Sequence, residues 1–310
     1  MRNTDLSRVI FPVEMRPLQY RDGSGRPVHL NSHQVVIDRN MDAPLGVVGS
    51  SYQLIPNEEA LKFARDCASQ LFETNPSDLE VFNIITPHRR WFCHIDLVHR
   101  GYEVNILKNE VYLPFVRVTN SYNATRALRF DVGYCRKLCL NGVIFEKHSI
   151  EFNFPHSSRG MSNRVDFQIA KGKLQALRTE FESDVERLHS FQFPQCSAVP
   201  LVFRALQLPV PKSPEDWEKR KNDFYLPLKE RVEELADRYV GTMGQNAYAV
   251  LNAGTEFATN PPEKPNVRRQ HHAMQSRMGQ WAHEFSEAVG EPNFNLPAYI
   301  GDYGAVSGWV

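Results

Sequence analysis

Residues 112–145 read YLPFVRVTNSYNATRALRFDVGYCRKLCLNGVIF, and this stretch decides the fold. Two runs of alternating apolar residues flank a polar turn, and a Cys-Asn-Gly corner follows them. Such alternation predicts paired β-strands with one face in a core. The opposite face would carry cations against the single acid Asp131. These cations are Arg117, Arg126, Arg129, Arg136 and Lys137. We therefore expect a sheet with one basic face.

The composition around this stretch is ordinary. The chain has 310 residues, of which 42% are hydrophobic and 23% are charged, as in soluble globular proteins. It has no run of about 18 apolar residues that would span a membrane. Residues 1–15 lack the apolar core of a signal peptide. We expect a cytoplasmic protein, in the host cytoplasm if it is phage-encoded, with no membrane partner.

The charge is distributed unevenly along the chain. The net charge is zero, yet residues 86–178 carry 15 Lys and Arg against 7 Asp and Glu, a local balance of +8. An anionic partner is expected to bind in such a segment. The overall neutrality counts against a dedicated nucleic-acid binder, because such proteins are usually basic as a whole.

The pattern before residue 160 predicts an antiparallel sheet domain with one capped helix, residues 1–160. The turn Asp22–Gly25 favours a hairpin, because glycine adopts positive φ without strain. Asn57 is expected to cap a helix that has two glutamates in its first turn. Strands resume near residue 78, with a hairpin turn at Pro87–Arg90.

After residue 160 the apolar period changes to threes and fours, which predicts a helical domain over residues 161–310. A long amphipathic helix of roughly 25 residues would begin near Asn163 and serve either oligomerisation or packing within one subunit. Ser213 followed by Pro214 is typical of a helix start. The aromatic tail is expected to dock on a neighbouring surface. The fold class is therefore α+β, a mostly antiparallel β-sheet N-terminal half with a covering helix, followed by a mainly helical C-terminal half.

The hairpin turn at residues 87–90 places two arginines beside Trp91. A basic tip next to an aromatic side chain can hold a phosphate and stack a base, although solvated arginines are the commoner case. Together, this turn and the basic sheet face form a predicted binding site for nucleic acid or for another partner. Its members are Arg89, Arg90, Trp91, Arg117, Tyr122, Arg126, Arg129, Arg136 and Lys137.

The sequence contains no recognisable catalytic motif. We find no phosphate-binding loop, dinucleotide fingerprint, nucleophile elbow or His-Glu-x-x-His pair. The expectation is a protein that is not an enzyme and that uses no cofactor. Cys139 beside Asn141 and His148 offers a weak alternative as a nucleophile, but a cysteine between two leucines is usually buried.

Metal binding is not expected from the sequence either. Cys135 and Cys139 are separated by three residues rather than the two of a zinc knuckle, although a site completed by His94 and His148 remains an alternative. The five cysteines are expected to be reduced. His283, like the pair at 271 and 272, is expected to be a surface histidine with no carboxylate placed to complete a site.

Three motifs resemble a known family. They are V-x-x-x-Y-Q-L-I-P-N-E-E-A-L at residues 48–61, R-x-x-C-x-N-G at residues 136–142, and Y-x-V-L-N-A-x-T-E at residues 248–256. In this order they resemble the phage- and plasmid-borne family filed as domain of unknown function 932. The resemblance implies an accessory protein of a mobile element that serves DNA processing or the contest with host defences, with no catalytic residues.

Two functions follow as hypotheses. The first is a non-catalytic phage- or plasmid-type protein that binds single-stranded nucleic acid, or anneals strands, through the basic sheet face. The alternative is an oligomeric protein inhibitor of a host anti-phage defence nuclease complex, for which the long helix and aromatic tail would build a homo-oligomer.

Overall fold

The structure is a computed structural model, and it describes residues 4–107, 110–137, 141–144, 151–154, 156, 167–260 and 271–309. Strands fill the N-terminal half and helices most of the C-terminal half, so the predicted α+β class is confirmed. Among the described residues, no helix is both long enough and apolar enough to cross a lipid bilayer.

A three-stranded antiparallel sheet opens the chain. It consists of β1 (Val13–Arg21), β2 (Pro27–Asp38) and β3 (Ala43–Gly49) in that order. Gly25 has a φ of 80° in the β1–β2 turn, which only glycine adopts without cost. The hairpin predicted from the Asp22–Gly25 turn is therefore present.

A seven-stranded sheet follows in the order β10-β8-β7-β5-β4, with β6 beside β7 and β9 beside β8. The pairs β4–β5, β5–β7, β6–β7 and β8–β10 are antiparallel. The strands are β4 (Leu79–Ile85), β5 (Phe92–His99), β6 (Val104–Leu107), β7 (Glu110–Ser121), β8 (Leu128–Arg136), β9 (Gly142–Ile144) and β10 (Glu151–Phe154).

Helix α1 (Asn57–Phe72) lies between the two sheets in sequence and begins differently from the prediction. Pro56 occupies the N-cap position, and Asn57 does not cap with its side chain. Instead, Asn57 is buried, and its amide nitrogen donates to the Val9 carbonyl at 2.8 Å. Its amide oxygen accepts from Asn120 at 2.8 Å. The capping prediction is wrong because buried neighbours satisfy this side chain.

The later helices follow the predicted periodicity. The side chains of α2 that were expected on one face are buried from Ala170 to Leu188, and Ser213 caps α4 by accepting from the Asp216 amide at 3.2 Å. The helices are α2 (Phe167–Ser190), α3 (Ala198–Leu206), α4 (Pro214–Arg220), α5 (Leu226–Met243), α6 (Ala247–Thr259), α7 (His271–Ala288) and α8 (Leu296–Ile300).

The C-terminal tail docks on its own chain. The Trp309 ring lies 5.6 Å from Phe203 and 5.3 Å from Trp217 between centroids, and Lys229 donates to the Trp309 carbonyl at 2.6 Å. A surface cavity of about 760 Å³ lies beside this aromatic cluster, with Lys212 and Asp302 in its lining. The expectation that the tail docks on a surface is confirmed.

The contacts group the chain into two compact units. The first unit holds Met1–Glu103, Leu113–Gly133 and Ile150–Leu174, and the second holds Val104–Tyr112, Tyr134–Ser149 and Gln175–Val310. The predicted connector at residues 156–161 lies outside the described residues apart from His156. The proposed division into 1–160 and 161–310 stays a prediction.

Candidate functional site

Two turns of the first unit meet at one end of the large sheet. Phe92 at the start of β5 pairs with Ser121 at the end of β7, so the β4–β5 turn and the β7–β8 turn are neighbours. The Tyr122 amide donates to the Trp91 carbonyl at 2.8 Å and fixes one turn against the other. Side chains from both turns are therefore held close together.

Three of the predicted site residues occupy this sheet end, and we call them the sheet-end patch: Arg89, Trp91 and Arg126. Both arginines are exposed, and Trp91 is partly exposed. The Arg126 guanidinium lies 5.9 Å from the centroid of the Phe92 ring, and that ring lies 4.6 Å from the Trp91 ring. The patch therefore offers two cations beside an accessible aromatic surface, which suits a phosphate and a base.

Arg90 belongs to the same turn but faces inward. Its guanidinium forms an ion pair with the buried Asp38 and lies 4.2 Å from the centroid of the Phe11 ring. Only 17% of the side chain is exposed. Arg90 was predicted to bind a ligand, but it instead holds the turn against the three-stranded sheet.

Two further predicted residues lie in the core. Arg117 is fully buried and binds Asp96 through two hydrogen bonds, of 2.6 Å from Nε and 2.7 Å from Nη2. Tyr122 is 1% exposed, and its hydroxyl accepts from the Asn57 amide at 2.9 Å. The expectation of a basic sheet face that includes these side chains is wrong, because an opposed carboxylate and a backbone donor satisfy them inside the protein.

The remaining predicted cations lie along β8 and after it. Arg129 pairs with the buried Asp131 at 2.6 Å and is 28% exposed. Arg136, the last residue of β8, is 12% exposed and holds Glu110. Lys137 is exposed. None of these three belongs to the two turns that form the sheet-end patch.

Arg136 anchors a polar network in the second unit, which we call the Glu110 network. Its Nε and Nη2 donate to the two carboxylate oxygens of Glu110 at 2.5 Å each. Tyr248 of α6 donates to the same carboxylate at 3.2 Å and shares a hydrogen bond of 2.8 Å with Tyr112. Burial raises the pKa of both tyrosines, so both hydroxyls stay protonated and able to donate.

A second network lies around Glu256, the last residue of the motif at residues 248–256. Tyr239 donates to Glu256 at 2.6 Å, and Arg238 donates to its other oxygen at 2.7 Å. The Asn141 amide donates to Tyr239 at 3.2 Å and to Glu256 at 3.4 Å. Burial opposes ionisation of Glu256, but the hydrogen bonds from Tyr239 and Arg238 prevail and lower its pKa.

The motif residues that carry the family resemblance thus meet in space: Arg136 with Tyr248 through Glu110, and Asn141 with Glu256. The family model described as Domain of unknown function (DUF932) matches residues 44–280. The chain belongs to the DUF932 family. Its DUF932 motifs all lie inside the matched range, and two of them build the networks of the second unit. A search of the curated proteins and a search of the solved structures each returned no match.

Three of the four described cysteines of this DUF932 chain are buried. Burial raises the pKa of the Cys67 and Cys93 thiols to about 12. Cys135 is buried as well, whereas Cys196 is exposed. Cys139 and His148, which the sequence offered as a nucleophile and its base, lie outside the described residues, so the Cys135–Cys139 metal pairing stays untested.

Alkylation should therefore distinguish the exposed cysteine from the buried ones. In the native protein at pH 7, N-ethylmaleimide is expected to modify Cys196 while Cys67 and Cys93 stay unmodified, because a buried thiol with a raised pKa offers almost no thiolate. Peptide mass spectrometry of native and urea-treated samples would measure this. Equal labelling of Cys93 and Cys196 in the native sample would contradict the described burial.

One titratable cluster was missed from the sequence. His283 of α7 faces Glu180 and Asp184 of α2, all within the second unit. The expectation that no carboxylate lies beside His283 is therefore wrong. The spacing of Glu180 and Asp184 by four residues was the available signal, since it places both on one helix face.

Proposed function

We propose that this DUF932 protein binds single-stranded nucleic acid at the sheet-end patch, without catalysis. The observation that carries the proposal is that two neighbouring turns each contribute an exposed arginine beside the adjacent rings of Trp91 and Phe92. The proposal narrows the site predicted from the sequence, because Arg90, Arg117, Arg129 and Arg136 are each engaged by a carboxylate. We place this activity in the host cytoplasm, as a phage- or plasmid-type accessory function.

The patch favours a single strand over a duplex for a physical reason. A partly exposed tryptophan stacks on a base only where the base face is free, which excludes paired bases within a helix. Each phosphate contact in single strands contributes roughly −0.7 to the slope of log affinity against log salt, so two arginines give roughly −1.4. Affinity should then fall roughly sevenfold between about 50 and 200 mM salt.

Charge reversal tests the patch. We expect Arg89→Glu combined with Arg126→Glu to lower the affinity for a labelled single-stranded oligonucleotide at least tenfold, because attraction to the phosphates becomes repulsion. Trp91→Ala should cost about 1–3 kcal/mol of binding free energy through lost stacking. Fluorescence anisotropy at two salt concentrations would measure both effects.

The matched control is Arg100→Glu. Arg100 is exposed and follows the opposite end of β5, where it forms a solvent-exposed ion pair with Glu80. This variant should bind like the wild type. If the double variant also bound like the wild type, or if Arg100→Glu lost as much affinity, the sheet-end patch would not be the site.

A second candidate is a protein-binding inhibitor of a host defence nuclease, acting as a homo-oligomer. It is supported by four large apolar side chains exposed on or beside the three-stranded sheet: Tyr20 at 51%, Leu30 at 37%, Met41 at 62% and Val47 at 51%. Exposed apolar side chains on one small sheet favour a protein partner. A monomer by light scattering, combined with no partner in pull-downs from a defence-positive host, would rule against it.

A further inference from the structure

Three potential ligands converge between two helices of the second unit. Glu180 and Asp184 lie one turn apart on α2, and His283 lies on α7. The Nδ1 atom of His283 is 3.0 Å from Glu180 Oε1 and 3.3 Å from Asp184 Oδ2. One oxygen of each carboxylate and one nitrogen of the imidazole therefore lie within 4.8 Å of one another.

The donor spacing matches that of a small metal ion. A first-row divalent ion lies about 2.1 Å from its nitrogen and oxygen ligands. Adjacent ligands are then about 3.0 Å apart in octahedral geometry and about 3.4 Å apart in tetrahedral geometry. The distances of 3.0 and 3.3 Å from His283 Nδ1 to the two carboxylates fall in this range.

A second layer of contacts is independent of that spacing. Ser286 donates to Asp184 Oδ1, the oxygen that does not face His283. The Nε2 atom of His283 lies 3.7 Å from the Glu287 carboxylate, on the side of the ring away from Nδ1. Metal-binding carboxylates and histidines are commonly held in this way by groups on their far sides.

The electrostatic environment agrees with a cation. Asp184 is buried, with only 3% of the residue exposed. A cation bound to Oδ2 would offset the cost of burying the charge of this carboxylate. The site is reachable, because Glu180 is 26% exposed and His283 is 14% exposed.

We propose that the second unit binds one first-row divalent transition-metal ion through Glu180, Asp184 and His283 Nδ1, with water in the open positions. The imidazole ligand favours Fe²⁺, Ni²⁺, Cu²⁺ or Zn²⁺ over Mg²⁺ and Ca²⁺, which prefer oxygen ligands alone. Mn²⁺ suits the two carboxylates and the water ligands. The ion joins α2 to α7. It is a site distinct from the sheet-end patch and does not depend on nucleic-acid binding.

The test uses the full chain after treatment with a chelator and then dialysis. Mn²⁺ is the probe, because the exposed thiol of Cys196 would bind Zn²⁺ on its own. Electron paramagnetic resonance titration is expected to show one bound Mn²⁺ per chain. Asp184→Asn and His283→Asn should each weaken this binding at least tenfold, whereas Mg²⁺ at the same concentration should displace little Mn²⁺.

Asp184→Asn keeps the shape of the side chain and an acceptor for Ser286, so it reports on the ligand charge even if His283→Asn folds poorly. The control is His189→Asn, which removes an exposed histidine from the last turn of α2. It should bind Mn²⁺ like the wild type. No Mn²⁺ binding by the wild type, equal binding by Asp184→Asn, or equal displacement by Mg²⁺ would overturn the proposal.

Discussion

Asp96→Ala is expected to lower the free energy of unfolding by about 3–5 kcal/mol, because it leaves a guanidinium without its carboxylate inside the core. Asp96 on β5 lies directly opposite Arg117 on β7 and receives two hydrogen bonds from it. The amide of Asn83 donates to the same carboxylate at 3.2 Å. Urea denaturation followed by circular dichroism would measure the loss.

A double-mutant cycle would measure the interaction free energy between Arg117 and Asp96 apart from the contacts that each makes with other residues. Arg117→Met combined with Asp96→Leu should be more stable than either single variant, because an apolar pair needs no compensation for a buried charge. The control Arg100→Ala removes an equally short ion pair whose side chains are more than half exposed, and it should change stability by less than about 0.5 kcal/mol. A loss below about 1 kcal/mol for Asp96→Ala would show that water reaches Arg117.

Glu110→Ala is expected to destabilise the protein by about 3 kcal/mol through the second unit. The change removes the two carboxylate oxygens to which Nε and Nη2 of Arg136 donate, and one of the hydrogen-bond partners of the buried Tyr248 hydroxyl. The Arg136 side chain is only 12% exposed. A buried donor left unsatisfied costs about 1–3 kcal/mol by itself, and a charged one costs more. Urea denaturation of Glu110→Ala and Glu110→Gln would measure it.

Glu110→Gln should lose less than Glu110→Ala, because the amide oxygen still accepts one hydrogen bond from Arg136. Glu80→Ala is the control, since it removes a carboxylate that holds an exposed arginine at the same distance of 2.5 Å. That variant should be nearly neutral. Equal stabilities of Glu110→Ala and Glu80→Ala would mean that the Glu110 network is a solvated surface feature.

Local signals predicted much of the fold. The Asp22–Gly25 turn gave the first hairpin, and the Pro87–Arg90 turn gave the β4–β5 connection. Ser213 and Pro214 marked the start of α4 correctly. These signals succeed because turns and caps are decided by residues within a few positions of each other. The prediction that Asn57 caps α1 failed because the partners of its side chain, Val9 and Asn120, are distant in sequence.

The basic face could not be resolved by the same reasoning. Alternation in β7 and β8 shows which residues share a face, but it does not show which acids lie opposite. Arg117 meets Asp96 only through the register of β5 and β7, and Arg136 meets Glu110 from the start of β7. A count of charges in the segment therefore overestimates the cations that remain available to a ligand.

The cluster around His283 shows the same limit for helices. Glu180 and Asp184 repeat at four residues, as do His283 and Glu287, so each helix presents two polar groups on one face. The two helices are about 100 residues apart in sequence, and only tertiary packing brings them together. Polar residues that repeat at four positions in two different helices can therefore form a metal site that neither helix predicts alone.

The interleaving of the two units affects how such a protein can change during evolution. The chain passes from one unit to the other five times, at residues 103/104, 112/113, 133/134, 149/150 and 174/175. A single crossover inside residues 104–174 therefore divides both units, and a crossover elsewhere in the gene divides one of them. Neither unit can be replaced from a relative by one crossover, and we expect the two to be inherited as a pair.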